Sequence, residues 1–402
     1  MNKILQICGL AGLLALFLMG CQTVTDVEAV TETEETELNA ELDEEGVIGK
    51  VALLTDQVGE SRMESGDTFC KAIWTGIESY CTVGNVESAC YSPKEDTKDS
   101  RLELIEDAVT DGYNVLVLAG SHYGEALVAA QSTYPDVTFI AVDVDSYDMT
   151  FDGETFYDPA MNTTCITFAE EQSGFLAGYA AVMEGYTRLG YLGQADTSVA
   201  QKYGFGYLQG IAQAAETLGV KVSVEYHYAD INGDQNQLKD KLENWYAEGC
   251  QVIFVSEENL EKSAFEAATQ MQGLLIGTDQ ERFREGADFA WDPYLTAVTK
   301  ELDVVVEQVV KDLFCYAWDE YSCNVVCFSL SEGTILERLQ KKFVTGDYLG
   351  LAAEDEWRFN TFDREQYAAM IEGIKAGDIH IEDDPEVEIE SFATDHMEII
   401  QE

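Results

Sequence analysis

Residues 168–214 read FAEEQSGFLAGYAAVMEGYTRLGYLGQADTSVAQKYGFGYLQGIAQA. The first part predicts a helix starting near Glu170, on which Gly174, Ala177, Gly178 and Ala181 make a small-residue face between Phe175, Leu176, Tyr179 and Val182. A glycine inside a helix costs roughly 0.5–1 kcal/mol relative to alanine, so two on one face point to close packing against another backbone. A short strand, Leu189 to Leu192, follows, then a loop at Gly193 to Ser198 and a second helix carrying Tyr203, Gly206 and Gly210. The stretch is the opening of an α/β lobe.

The order GFLAGYAA, then LGYLG, then YGFGYLQGI resembles the basic membrane protein family of ABC-transporter substrate-binding lipoproteins. The resemblance implies a type I periplasmic-binding-protein fold, with two doubly wound parallel-sheet lobes joined by a hinge and a small ligand held between them. It also implies a receptor rather than an enzyme, with no catalytic residue and no cofactor, and a purine nucleoside as ligand.

The rest of the chain fits an exported receptor. It has 402 residues, enough for two domains, and a net charge of −53 from 23 Lys and Arg against 76 Asp and Glu. Nucleic-acid partners need a basic face, and no basic cluster is present. At the N-terminus, Lys3 and the apolar run Ile4 to Met19 lead into Leu18-Met19-Gly20-Cys21, an ending similar to a bacterial lipobox. Residues 1–20 therefore read as a lipoprotein signal peptide, and Cys21 as the lipidated residue that tethers the protein to the outer face of the membrane. Residues 21–47 carry ten acidic side chains and no basic one, so like charge and low hydrophobicity predict a disordered tether.

From Lys50 onward strands and helices alternate: KVALLT to Thr55, a helix over Asp67 to Tyr80, a helix over Arg101 to Thr110, NVLVLA to Ala119, a helix over Glu125 to Ser132, and TFIAV to Val142. Such alternation means βαβ units and a parallel sheet, whose ligands sit beyond the carboxyl ends of the strands. Asp56, His122, Tyr123 and Asp143 follow strand ends and become candidate ligand-binding residues. The family opens its first helix with Ser-Phe-Asn-Gln, where this chain has Thr68-Phe69-Cys70-Lys71. Phe69 keeps the aromatic, but the amides that would read a base edge are replaced.

Further strands are expected at KVSVEYH (Lys221 to His227), QVIFV (Gln251 to Val255) and Gly273 to Ile276. The resemblance continues in Tyr203 for a family Phe, in Gly277-Thr278-Asp279, and in YLTAVTKELD (Tyr294 to Asp303) with its Lys300. It implies that Phe69 and Tyr203 sandwich a base while Asp279 and Lys300 hold a ribose. After Val255 the family's glycine-rich loop is replaced by Ser256-Glu257-Glu258-Asn259. The expected division is 48–163 with 278–325 in the first lobe and 164–277 with 326–390 in the second. A helix is expected from Thr296 to about Phe314, and an acidic tail over 391–402.

Eight cysteines remain once Cys8 and Cys21 are set aside, and an even number in an exported chain suggests disulfides, although an anaerobic host would leave thiols. There is no CxxC and there are four His, so no metal site is expected. The expected partners are a small neutral ligand, a nucleoside above others, and an ABC permease. Two alternatives stay open: a nucleoside hydrolase using cleft aspartates, and a sensor presenting its closed form to a membrane partner.

Overall fold

A computed structural model of the chain describes residues 49–56, 58, 68–195, 197–230, 233–278, 292–333, 337, 341–353 and 357–401. The expectations for the signal segment, Cys21, the tether and Asp279 fall outside these residues.

The chain visits two sheets in four passages. The first passage lays down β1 (Val51–Leu54), α1 (Thr68–Gly84), β2 (Ser88–Tyr91), α2 (Lys98–Thr110), β3 (Val115–Ala119), α3 (Gly124–Thr133), β4 (Thr138–Val142) and β5 (Thr163–Phe168). β1 and β3 are uninterrupted buried runs, as strands covered on both faces must be. The second comprises α4 (Glu170–Met183), β6 (Arg188–Gln194), α5 (Ser198–Leu218), β7 (Val222–Ala229), α6 (Gln235–Ala247), β8 (Val252–Val255), α7 (Glu258–Met271), β9 (Leu274–Gly277) and β10 (Tyr294–Lys300). The third has α8 (Leu302–Phe314), β11 (Asn324–Ser329) and β12 (Lys342–Thr345), and the fourth β13 (Leu349–Leu351), α9 (Arg364–Lys375) and β14 (Met397–Gln401).

The two seven-stranded sheets run β12-β11-β5-β4-β3-β1-β2 and β13-β10-β9-β8-β6-β7-β14. Their pairings are parallel except for β13 against β10. The α/β class and the paired parallel sheets agree with the sequence reading. The division of the chain does not. The sheets change after Phe168, after Lys300 and after Thr345, so β5, β11 and β12 join the first sheet and β10 the second. The expected helix from Thr296 begins only at Leu302, because Tyr294–Lys300 is taken up as β10, buried without a break from Tyr294 to Val298. Nor is 391–402 a tail: Met397, Ile399 and Ile400 bring β14 onto the edge of the second sheet, parallel to β7.

The small-residue face of the opening stretch is where α4 meets α5. A Cβ on Gly174 would fall on the carbonyl oxygen of Tyr203, one on Gly178 on that of Tyr207, and one on Gly206 on that of Glu171. The two helix backbones therefore touch, and no larger residue fits without separating them. Cys70, Cys81, Cys90, Cys165, Cys250, Cys315, Cys323 and Cys327 are all free thiols. Among the described residues no helix is long and apolar enough to cross a membrane.

Candidate functional site

Residues at the carboxyl ends of strands in the two sheets meet: Thr68 and Asp143, which follow β1 and β4, reach Glu258 after β8 and Lys300 at the end of β10. Asp143, immediately after β4, takes the left-handed backbone region at φ 54° and donates its N–H to the Ile166 carbonyl. That turn aims its carboxylate at Lys300, the last residue of β10. The Lys300 Nζ lies 2.6 Å from Asp143 Oδ2 and 3.1 Å from Glu170 Oε1. Glu170, the first residue of α4, is fully buried, and its other oxygen is 3.3 Å from Lys202 Nζ on α5. Lys202 also donates to the Phe168 carbonyl. The result is a chain Asp143–Lys300–Glu170–Lys202 through the crossing point, with residues from both lobes.

Burial sets the proton affinities along that chain, and proximity corrects them. Burial alone would raise the carboxyl of Glu170, but Lys202 and Lys300 outweigh it and hold the group below its ordinary value. Burial would strip Lys300 of its proton, yet Asp143 and Glu170 keep the ammonium firmly charged. Asp143 is raised, because burial, with the nearby Glu170 adding to it, outweighs what Lys300 supplies. Its Oδ1 is buried and accepts no hydrogen bond from the described residues.

Around this chain stand groups from both lobes. Phe69, in the first turn of α1, is half-buried with its ring centroid 6.0 Å from Lys300 Nζ, and Phe168 lies 5.1 Å from the same nitrogen. Thr68 donates across the lobes to Glu258 Oε2 at 3.3 Å. Glu257, just before α7, accepts from the Thr197 hydroxyl at 3.3 Å. Burial pushes Glu257 up to about 7, with Lys300 pulling the other way and Asp143 and Glu170 adding to the rise. Asp56, after β1, packs against Gly120, whose φ of 99° and absent side chain leave room for that carboxylate.

The sequence candidates separate cleanly. Phe69 and Asp143 come together at Lys300, while Asp56 lies against Gly120 and Cys70. Tyr123 does not join them: it is fully buried in the first lobe's core and its hydroxyl donates to the Thr55 carbonyl at 2.7 Å. Tyr203 is likewise a core residue, edge-on to Phe254 at 5.7 Å, and so offers no open face to a base. Its hydroxyl end senses the cluster, since Lys300, Glu170, Asp143 and Glu257 are its charged neighbours. His122 is exposed and lines a cavity of about 490 Å³ together with Lys98, Arg101, Asp148, Gln194 and Thr197, so this cavity also opens between the lobes. Partial burial and the Arg101 guanidinium lower its imidazole.

Sequence reasoning missed Glu170, Glu257 and Lys202. The first two follow strand ends, β5 and β8, and the rule that selected Asp143 selects them as well. Lys202 sits in a helix interior with no local mark of its role.

Two parallel-sheeted lobes closing on a polar cleft define a solute-binding receptor, and the comparisons agree. The family model described as ABC transporter substrate-binding protein PnrA-like matches residues 64–342. The chain belongs to this basic membrane protein family of ABC-transporter substrate-binding proteins. The match continues through 315–342, beyond the Lys50 to Leu313 stretch where the resemblance is readable by eye. The ABC transporter nucleoside-binding protein BmpA of Lactococcus lactis is 23% identical over 279 residues, covering 65% of this chain and 73% of that protein. Basic membrane protein A of Borreliella burgdorferi is 24% identical over 261 residues, covering 63% and 69%. Among solved structures, an ABC transporter solute-binding protein from Aeropyrum pernix superposes with a TM-score of 0.62 at 17% identity, covering 86% of this chain and 95% of its own. One from Conexibacter woesei gives 0.58 at 14% identity, covering 83% and 99%. The family implies a small-molecule ligand, a permease partner and an extracytoplasmic location.

Proposed function

We propose that the protein binds a nucleoside in the cleft and delivers it to an ABC permease, from a position on the outer face of the membrane held by lipid on Cys21. The observation that carries the reading is the Lys300 cluster beside Phe69. A nucleoside presents an aromatic face and a vicinal diol. Phe69 offers the ring against which a base stacks, worth about 1–3 kcal/mol where such stacking is measured in nucleic-acid complexes. Asp143 and Lys300 offer the acceptor and donor that a diol requires. Asp279 belongs to the same reading as a ribose acceptor, and Asp56 and His122 close the polar ring. The relative from Lactococcus lactis, named as nucleoside-binding, supports the same ligand class.

The test is a thermal-shift comparison of nucleosides, free bases, nucleotides and simple sugars on the purified protein. A ligand at one hundred times its dissociation constant stabilises the fold by about 2.7 kcal/mol. A shift with nucleosides that disappears in Lys300→Met and in Asp279→Ala supports the reading, and a shift confined to sugars or to free bases overturns it. Replacing Cys21 with Ala moves the protein from the membrane fraction to the soluble one if the lipid is the anchor.

A further inference from the structure

The cavity that His122 lines is bordered by the N-terminal ends of three helices. Asp96, Lys98 and Arg101 come from the start of α2, Ser121, His122 and Glu125 from the turn into α3, and Thr197 caps α5. α2 and α3 follow strands of the first sheet, and α5 follows β6 of the second. A helix start presents unpaired backbone N–H groups and the positive pole of the helix dipole, which together suit an anion. Thr197 is also a wall shared with the nucleoside site, because its hydroxyl donates to Glu257, whose carboxyl feels Lys300.

Helix ends alone do not make a site, but here a buried donor stands among them with nothing to bind. Arg101 is 4% exposed and lines the cavity. Its Nη2 pairs with Asp96, and its guanidinium packs 5.6 Å from the Tyr123 ring centroid. Its Nε–H meets no acceptor among the described residues. A buried donor left bare costs free energy until an acceptor arrives. Lys98 adds an ammonium to the same wall, 5.5 Å from the Phe151 ring centroid. Two of the cavity's acids are already committed. Asp96 holds Arg101, and Asp148 accepts the Asp145 N–H at 2.8 Å. Burial, with Asp145 adding to it, keeps the Asp148 carboxyl well above its ordinary value and so favours its uncharged form. Glu125, half-buried in the first turn of α3, is the acid that would compete with an incoming anion. The chain's net charge of −53 acts mainly at long range, where salt screens it beyond about 8 Å, so these local groups decide.

We propose that this cavity is an oxyanion subsite and that the ligand is a nucleoside carrying a phosphate, which sits against Arg101 and Lys98. This rests on the nucleoside reading of the Lys300 cluster and departs from the neutral ligand expected from sequence. The guanidinium and the ammonium supply charge-assisted hydrogen bonds, and the Ser121 hydroxyl supplies a neutral one. Burial and Arg101 hold the His122 imidazole below its ordinary value, so it stands as a neutral ring with one N–H to give. A phosphate here meets groups that follow strands of both sheets, as a ligand that holds a receptor closed must.

Calorimetric titration of the purified protein with adenosine, guanosine, their 5′-monophosphates and inorganic phosphate separates the two parts of the ligand. Each monophosphate should bind at least about tenfold tighter than its nucleoside, the scale of one charge-assisted hydrogen bond. Lys98→Met and Arg101→Gln should each remove most of that advantage while the nucleosides bind as before. Lys98 is only half-buried, so its variant decides the matter if loss of the Arg101 packing prevents folding. Glu125→Gln removes the competing acid and should tighten the monophosphates by about fivefold, leaving the nucleosides unchanged. Nucleosides that bind as tightly as their monophosphates overturn the proposal and leave the nucleoside reading standing. A monophosphate preference that survives both Lys98→Met and Arg101→Gln overturns it as well. So does inorganic phosphate binding more tightly than the monophosphates, because the anion would then be a ligand of its own. Failure of nucleosides and monophosphates alike, with binding of a different ligand class, overturns both readings.

Discussion

Glu170 and Glu171 are neighbours in the first turn of α4, with relative exposures of 0% and 6%, and they behave in opposite ways. Glu170 has ammonium groups at 3.1 Å and 3.3 Å and is held as an anion. Among the described residues, Glu171 has none at that range. Burial raises it to about 8, Asp383 adds to the rise, and Lys202 and Lys341 offset it only in part. Its Oε2 has no hydrogen-bond partner among the described residues. Burial is shared, so the difference lies in whether a cation reaches hydrogen-bonding distance. One glutamate is part of the cleft's fixed charge, and the other stores a proton behind it.

The largest effect should come from turning Glu170's surroundings into those of Glu171. Lys300→Met leaves Asp143 and Glu170 buried with one cation fewer, which should lower stability by about 3–5 kcal/mol in urea unfolding. A loss below about 1 kcal/mol, the usual worth of an exposed pair, would break the comparison. The next effect is in pH. Glu171 and Glu257 hold protons more tightly folded than unfolded, so folding takes up protons above their ordinary value of 4.5. Their contribution to stability is complete below that value and is lost as pH rises through about 7 and about 8. Unfolding measured between about pH 5 and about pH 8 should therefore show stability falling by a few kcal/mol. Glu171→Gln should remove most of that slope without touching Glu170.

Two smaller changes sharpen the contrast. Gly206→Ala places a methyl on the Glu171 carbonyl and should cost about 1–3 kcal/mol by parting α4 from α5. Its pH slope should shrink too, because the parted helices admit water to Glu171. Thr68→Val removes the hydroxyl that reaches Glu258 across the lobes, and ligand affinity should drop about fivefold, the worth of about one hydrogen bond.

Much of this was legible in the sequence, and the physical reasons mark where legibility ends. Strands buried on both faces announce themselves as apolar runs, and so β1, β3 and β4 were readable. β2 is half-buried throughout and β12 is mostly so, and neither has such a run. Sheet membership is not written locally at all: YLTAVTK makes the same strand whichever sheet accepts it. At the site, the rule of strand ends found Asp56 and Asp143. It also found Tyr123, whose size and single hydroxyl suit the core better than a wet rim. Phe69 and Lys300 were reached through the family resemblance. Lys202 could not be found, since its role depends on glycines in two helices letting α5 ride close enough to Glu170.

The interleaving of the two sheets governs how the molecule can be taken apart. β5 waits for β11, with Thr164 bonded to the carbonyl of Asn324 160 positions later, and β7 waits for β14 at the far end. Each sheet draws on early and late parts of the chain, so no single cut yields either lobe as a continuous fragment. Long-range pairings of this kind slow folding, because distant segments must meet before their contacts reward the meeting. The two sheets are distinct in their pairing and inseparable in assembly. A chain interrupted before β14 leaves the edge of β7 bare, an open strand waiting for any other to pair with it.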